Sequence, residues 1–142
     1  YNISGVDAAY CRTVFDNLES DLKRRKEIAA KYIKELTGLV HVKIEKAKFD
    51  HSYYTFTIKI DKNRDDFSKE LAKKGIETDI EYMPIHISSY YRAKYELKIN
   101  SFPVALRVYG TVLSIPIYAG LTDKEVDFII NAIKDIANNR KW

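Results

Sequence analysis

The stretch from Leu121 to Ala137 constrains the fold more than any other part of the chain, because every signal a helix needs is present there in register. Thr122 and Glu125 have the spacing of a capping box, in which each side chain satisfies a backbone N–H of the other end of the first turn. Leu121 and Val126 flank that box as a hydrophobic staple, and Val126, Ile129, Ile130, Ile133 and Ala137 fall on one face. A helix with so apolar a stripe must be covered, so the rest of the chain has to supply a layer for it.

A second amphipathic segment is available at the other end. Val14, Leu18, Leu22, Ile28, Tyr32, Ile33 and Leu36 recur mostly at four-residue intervals among charges, which predicts a long N-terminal helix from about Val6 to Leu36, broken or continuous. Gly38 follows its last periodic residue and suits the left-handed C′ position. Two runs rich in β-branched and aromatic residues come next, Leu39 to Glu45 and Tyr53 to Ile60. In the second, Tyr54, Phe56, Ile58 and Ile60 alternate against Tyr53, Thr55, Thr57 and Lys59, as on neighbouring strands with one buried face. A short helix capped by Asn63 and closed by Gly75, a strand from Ile76 to Ile80, a helix opened by Pro103 and ended by Gly110, and a strand from Thr111 to Ile115 complete the pattern. Between Glu81 and Asn100 no period holds while tyrosines, serines and Pro84 accumulate, which predicts a long irregular connection of the kind that often carries function. These elements give one α+β domain over residues 1–142, with a small, mostly antiparallel sheet and helices packed on one side. Residues 1–37 form a long linking helix and 38–142 the α+β unit.

Several chemistries lack their signatures. Of the 142 residues one is cysteine and three are histidine, so neither a disulfide framework nor a zinc-ligand cluster is expected. The five glycines are all used as punctuation, and no Walker loop, GxGxxG, HExxH or GxSxG occurs. The net charge of +4 comes from 24 basic residues interleaved with 20 acidic ones, and this argues against a nucleic-acid binder with a one-sided basic stripe. Lys23 to Lys26 lie beside Glu19, Asp21 and Glu27 and read as a solvated helix face. No apolar run nears the length of a membrane span and no secretory signal is visible, so the expected location is the cytoplasm. His86 stands out among the histidines because it lies in the irregular segment, two residues after Pro84, although no nucleophile neighbours it in sequence.

Taken together, Tyr1-Asn2, the run Arg24 to Ala29, Gly75 to Thr78, Tyr82-Met83-Pro84-Ile85-His86, Phe102 to Ala105, Val112 to Tyr118 and Gly120 to Val126 resemble the DegT/DnrJ/EryC1/StrS family, in the right order along essentially the whole chain. The resemblance implies the C-terminal small domain of a fold-type I aminotransferase that uses pyridoxal phosphate on nucleotide-linked keto-sugars, in polysaccharide or deoxyamino-sugar biosynthesis, with an amino donor such as glutamate. It implies that the large domain bearing the Schiff-base lysine is absent from this chain. No residue here is then catalytic, and the chain alone holds neither cofactor nor metal. It further implies that Asn2 reaches the cofactor phosphate of a neighbouring subunit in a homodimer, and that Tyr82 and His86 face the sugar-nucleotide end of an open pocket. Ile3, Ser4 and Gly5 stand where the family usually has an aromatic residue, arginine and methionine, and Glu81 stands where histidine often precedes the tyrosine. These departures leave open a second reading, a free-standing interaction or regulatory domain that kept the fold.

Overall fold

The computed structural model describes residues 2–45, 47 and 49–139. Tyr1, part of the resemblance above, lies outside the described residues. The chain runs α1 (Gly5–Asp16), α2 (Leu18–Leu36), β1 (Val42–Lys43), β2 (Phe56–Ile60), α3 (Arg64–Lys73), α4 (Ser89–Tyr95), α5 (Pro103–Tyr109), β3 (Val112–Ile115) and α6 (Asp123–Asn139), with 3-10 turns at Ile85–Ile87 and Ile99–Ser101. The long N-terminal helix is thus two helices. They part at Asn17, whose side-chain amide donates to the Thr13 carbonyl at 3.0 Å. Polar side chains that bond backbone locally compete with helix continuation.

The sheet is antiparallel in the order β1-β2-β3, with Val42 opposite Ile60 and Phe56, Ile58 and Lys59 opposite Ile115, Leu113 and Val112. The expected first strand is only two residues long. Beyond β3 the segment 76–80, expected as a strand, makes one antiparallel bridge, Asp79 with Ser114. The alternation in β2 holds for Phe56, Ile58 and Ile60, which are buried, and fails at Tyr54, which is 75% exposed. Tyr53 takes φ +48°, which ends the two-residue period, and its ring packs 6.1 Å from Phe56.

The apolar sheet face is covered by α2, α3 and α6. Ile28, Ala29, Tyr32 and Leu36 of α2, Phe67 and Leu71 of α3, and seven residues of α6 from Val126 to Ala137 form one core with Phe56, Ile58, Ile60, Leu113 and Ile115. The Tyr32 ring lies 5.1 Å from Phe56 while its hydroxyl donates to the Pro116 carbonyl at 2.8 Å, and burial raises its pKa well above the ordinary phenol value. The capping box of α6 is formed: the Glu125 carboxylate accepts from the Thr122 N–H and hydroxyl, both at 2.8 Å, and Thr122 Oγ1 accepts from the Glu125 N–H at 3.3 Å. Around the α2–α6 seam run the pairs Arg24–Asp123, Lys31–Asp127 and Lys134–Glu35. With Lys26 paired to Asp50, the basic run of α2 is partly spent on these intramolecular contacts. By contrast α1, α4 and α5 bury no residue.

One basic side chain does structural work that its surroundings in sequence hide. Arg64, at the start of α3, is buried; its Nη1 donates to the carbonyls of Tyr109 (3.2 Å) and Val112 (2.9 Å), and its Nε pairs with Asp65. It ties α3 to the corner between α5 and β3, with the Tyr109 ring 5.7 Å beneath the guanidinium.

Candidate functional site

The segment expected to be irregular, 81–100, is organised. Pro84 precedes the 3-10 turn Ile85–Ile87, α4 follows at once, and the turn Ile99–Ser101 leads through Phe102 into α5, whose first residue is Pro103. The turn after α4 is closed by the Ser101 hydroxyl, which accepts from the Lys98 N–H at 3.1 Å. Periodicity was uninformative here because α4 buries nothing, and a helix with no covered face has no reason to carry an apolar stripe.

Tyr82 and His86 have opposite environments. Tyr82 is 78% exposed and follows a cis peptide from Glu81, with Met83 and Ile85 exposed on the same segment. His86, expected to face an open pocket, is only 6% exposed. Its Nε2 donates to the Ile99 carbonyl at 3.1 Å, and its ring lies 5.1 Å from Phe102. The correction has a simple cause: a 3-10 turn sends successive side chains in different directions, so the middle residue of Ile85–Ile87 points inward while its neighbours stay out. His86 therefore holds the two ends of the segment together, and Tyr82 is the exposed member of the two. Beside it Glu81 lines an open groove of about 340 Å³ with Tyr54, Thr78, Asp79 and Ser114.

Asn2 is exposed on the extended residues that lead into α1, where Ser4 caps the helix by accepting from the Asp7 N–H at 3.1 Å. It sits on a different part of the fold from Tyr82 and His86. Along α1, Val6, Tyr10 and Phe15 are each more than 70% exposed.

Among the described residues no group of three or more His, Cys, Asp and Glu side chains could hold a metal ion, and no helix is long and apolar enough to cross a membrane. Lys26, Lys31, Lys59, Lys69, Lys74 and Lys134 are all paired with acids. The grooves that Lys59, Lys69 and Lys74 line are open to solvent. The Asn2 amide is a neutral donor of the kind that suits a phosphate oxygen.

The model of the DegT/DnrJ/EryC1/StrS aminotransferase family matches residues 1–134. This chain belongs to that family. Among its relatives it is 34% identical to the uncharacterized protein MJ1066 of Methanocaldococcus jannaschii, over 99% of this chain and 38% of that protein. It is 28% identical to the spore coat polysaccharide biosynthesis protein SpsC of Bacillus subtilis, over 95% of this chain and 37% of that protein. The fold superposes on S. venezuelae DesV, crystallised with a ketimine intermediate, with a TM-score of 0.86 at 29% identity, covering 94% of this chain and 36% of DesV. The PLP form of Spr1654 from Streptococcus pneumoniae shares the fold with a TM-score of 0.87 at 24% identity, over 96% of this chain and 36% of that one. The chain thus spans less than two fifths of the relatives it matches. The family is pyridoxal-phosphate-dependent, and the small antiparallel sheet under α2, α3 and α6 is a unit these aminotransferases share.

Proposed function

We propose that these residues form the C-terminal, substrate-side domain of a cytoplasmic, homodimeric aminotransferase that acts on nucleotide-linked keto-sugars, with glutamate as the kind of amino donor it would use. The observation that supports this is the family match along nearly the whole chain, combined with coverage of only about 36–38% of the matched relatives. The catalytic large domain then belongs to the remainder of such an enzyme, where the cofactor would supply the amino-group transfer. This chain contributes Tyr82 as a contact to the sugar-nucleotide, His86 as the residue that positions the segment bearing it, and Asn2 as a neutral donor to the cofactor phosphate of the neighbouring subunit. The chain alone is not a catalyst.

The test has two arms. Titrating the isolated chain with pyridoxal phosphate should give no saturable imine absorbance, and borohydride should trap no lysine; stoichiometric trapping at one lysine would overturn the reading. In a protein that carries this domain together with a cofactor-binding domain, Tyr82→Ala and His86→Ala should slow the keto-sugar half-reaction more than the glutamate half-reaction. Equal losses in both would remove the sugar-side role. Failure of any form of the protein to bind the cofactor would favour an interaction domain, the reading that Ile3, Ser4 and Gly5 leave open.

A further inference from the structure

Phe128 is the one apolar residue of α6 that lies outside its buried stripe, and it stands 53% exposed. Tyr118, also 53% exposed, lines the same groove from the connection between β3 and α6. That connection is fixed locally: the Leu121 N–H donates to the Tyr118 carbonyl at 3.2 Å, and the Tyr118 ring rests beside Gly120, where an added Cβ would stand 3.5 Å from two ring carbons. Both rings are thus carried on ordered backbone. The groove holds about 410 Å³, which is within the range of small-ligand sites, and its apolar lining includes the core residues Ile76, Leu121 and Ile129. Its charged lining among the described residues is Glu77 and Glu125, with no lysine, arginine or histidine. Arg24 and Lys31, which reach the first turns of α6 from α2, are held there by Asp123 and Asp127.

Half-exposed aromatic faces beside carboxylates in an apolar groove suit a planar, weakly hydrated cation on an apolar stem. The ring quadrupole attracts the charge, the carboxylate accepts from its N–H groups, and the apolar lining covers the methylenes. An arginine side chain combines these properties. A purely apolar occupant would desolvate Glu77 and Glu125 without pairing them, and an anion would be repelled by both. A metal ion is not served, since among the described residues no group of three ligating side chains could hold one. We infer that this groove is a docking site for an arginine-bearing extended segment of a partner protein, with the guanidinium on the Tyr118 and Phe128 rings and paired to Glu77, and apolar neighbours of that arginine on the core lining. Single exposed contacts of these kinds are weak, so a free cation would be held no better than about 1 mM; the apolar neighbours are what make a protein segment the occupant. Asn2, Tyr82 and His86 do not line this groove, so the inference goes beyond the aminotransferase reading and stands apart from it.

The probe is the blocked tripeptide acetyl-leucyl-arginyl-leucinamide, titrated into the 142-residue chain and followed by the amide NMR shifts of Gly75, Gly120 and Phe128. Saturable binding that moves these amides is expected. The citrulline analogue, close in shape but uncharged, should bind more weakly by roughly 3-fold or more. Phe128→Leu keeps apolar bulk but removes the π face and should weaken binding roughly 3- to 30-fold. Glu77→Gln should weaken it roughly 2- to 5-fold and flatten its salt dependence. Both side chains are exposed, so these variants should keep the parent circular dichroism spectrum; Glu125 is left intact because it also caps α6. The inference is overturned if the tripeptide shows no saturation up to about 10 mM, or if the citrulline analogue binds as tightly. Phe128→Leu and Glu77→Gln both leaving affinity unchanged would do the same. Tetramethylammonium binding as tightly as the tripeptide would make this a small-cation site and would overturn the protein segment as its occupant.

Discussion

Replacing Arg64 by alanine tests how the corner that leads from α5 into the sheet is held. The guanidinium makes two charge-assisted hydrogen bonds to the part-buried carbonyls of Tyr109 and Val112, at 3.2 and 2.9 Å. Bonds of this type are worth about 1.5–3 kcal/mol each, and removing the donor leaves both acceptors unsatisfied. The contact to Asp65 adds little, since that carboxylate is 73% exposed. Part of the gross gain is cancelled by the cost of burying the guanidinium in the parent. The net loss in Arg64→Ala should be about 2–3 kcal/mol, and a domain of this size would then melt roughly 6–9 °C lower. Urea titration followed by circular dichroism measures this as a fall in midpoint at unchanged slope. Arg64→Lys, which keeps the charge but can reach only one carbonyl at a time, should fall between the two. If Arg64→Ala unfolds within about 0.5 kcal/mol of the parent, the carbonyls are solvated in the native state and the tether does not exist.

Thr122→Ala removes the capping hydroxyl of α6 and should cost about 1 kcal/mol in the same urea assay. The carboxylates of Glu125, held by Thr122, and of Glu35, held by Lys134, sit below their ordinary pKa, so their contribution is present above the usual carboxylate range and is lost as pH falls through the lowered values; stability should decline on acidification below about pH 4.3, and less steeply in Glu125→Gln. His86→Ala should speed amide exchange across 85–101 far more than across α2 or α6, because it unfastens Ile99 and Phe102 while leaving the core intact. The isolated chain should sediment as a dimer at high concentration through the exposed face of α1, and Tyr10→Glu with Val14→Glu should return it to monomer.

What the sequence disclosed depended on whether a face was covered. The stripes of α2 and α6, the capping box and the left-handed glycines Gly38 (φ +91°) and Gly75 (φ +80°) were legible because burial and backbone sterics act directly on residue choice. Strand lengths were not: Ile76 to Ile80 has strand-like residues but finds a partner only at Asp79, and pairing is a tertiary event. Arg64 stands beside Asp65 and Asp66 in sequence, where nothing local announces two carbonyls 45 and 48 residues away. Tyr82 was placed by resemblance and is exposed; the inward turn of His86 required the geometry of 85–87.

The seam between α2 and α6 has a consequence for how the protein is made. Glu35 meets Lys134 across 99 residues, Arg24 meets the Leu121 carbonyl across 97, and Tyr32 meets Pro116 across 84. A ribosome adding about 5–20 residues per second therefore holds α2, with Ile28, Tyr32 and Leu36 uncovered, for several seconds before α6 emerges to cover them. The charges along the other face of that helix, Lys23, Lys26 and Lys34 among them, keep the waiting chain soluble and disfavour premature association with a second nascent copy.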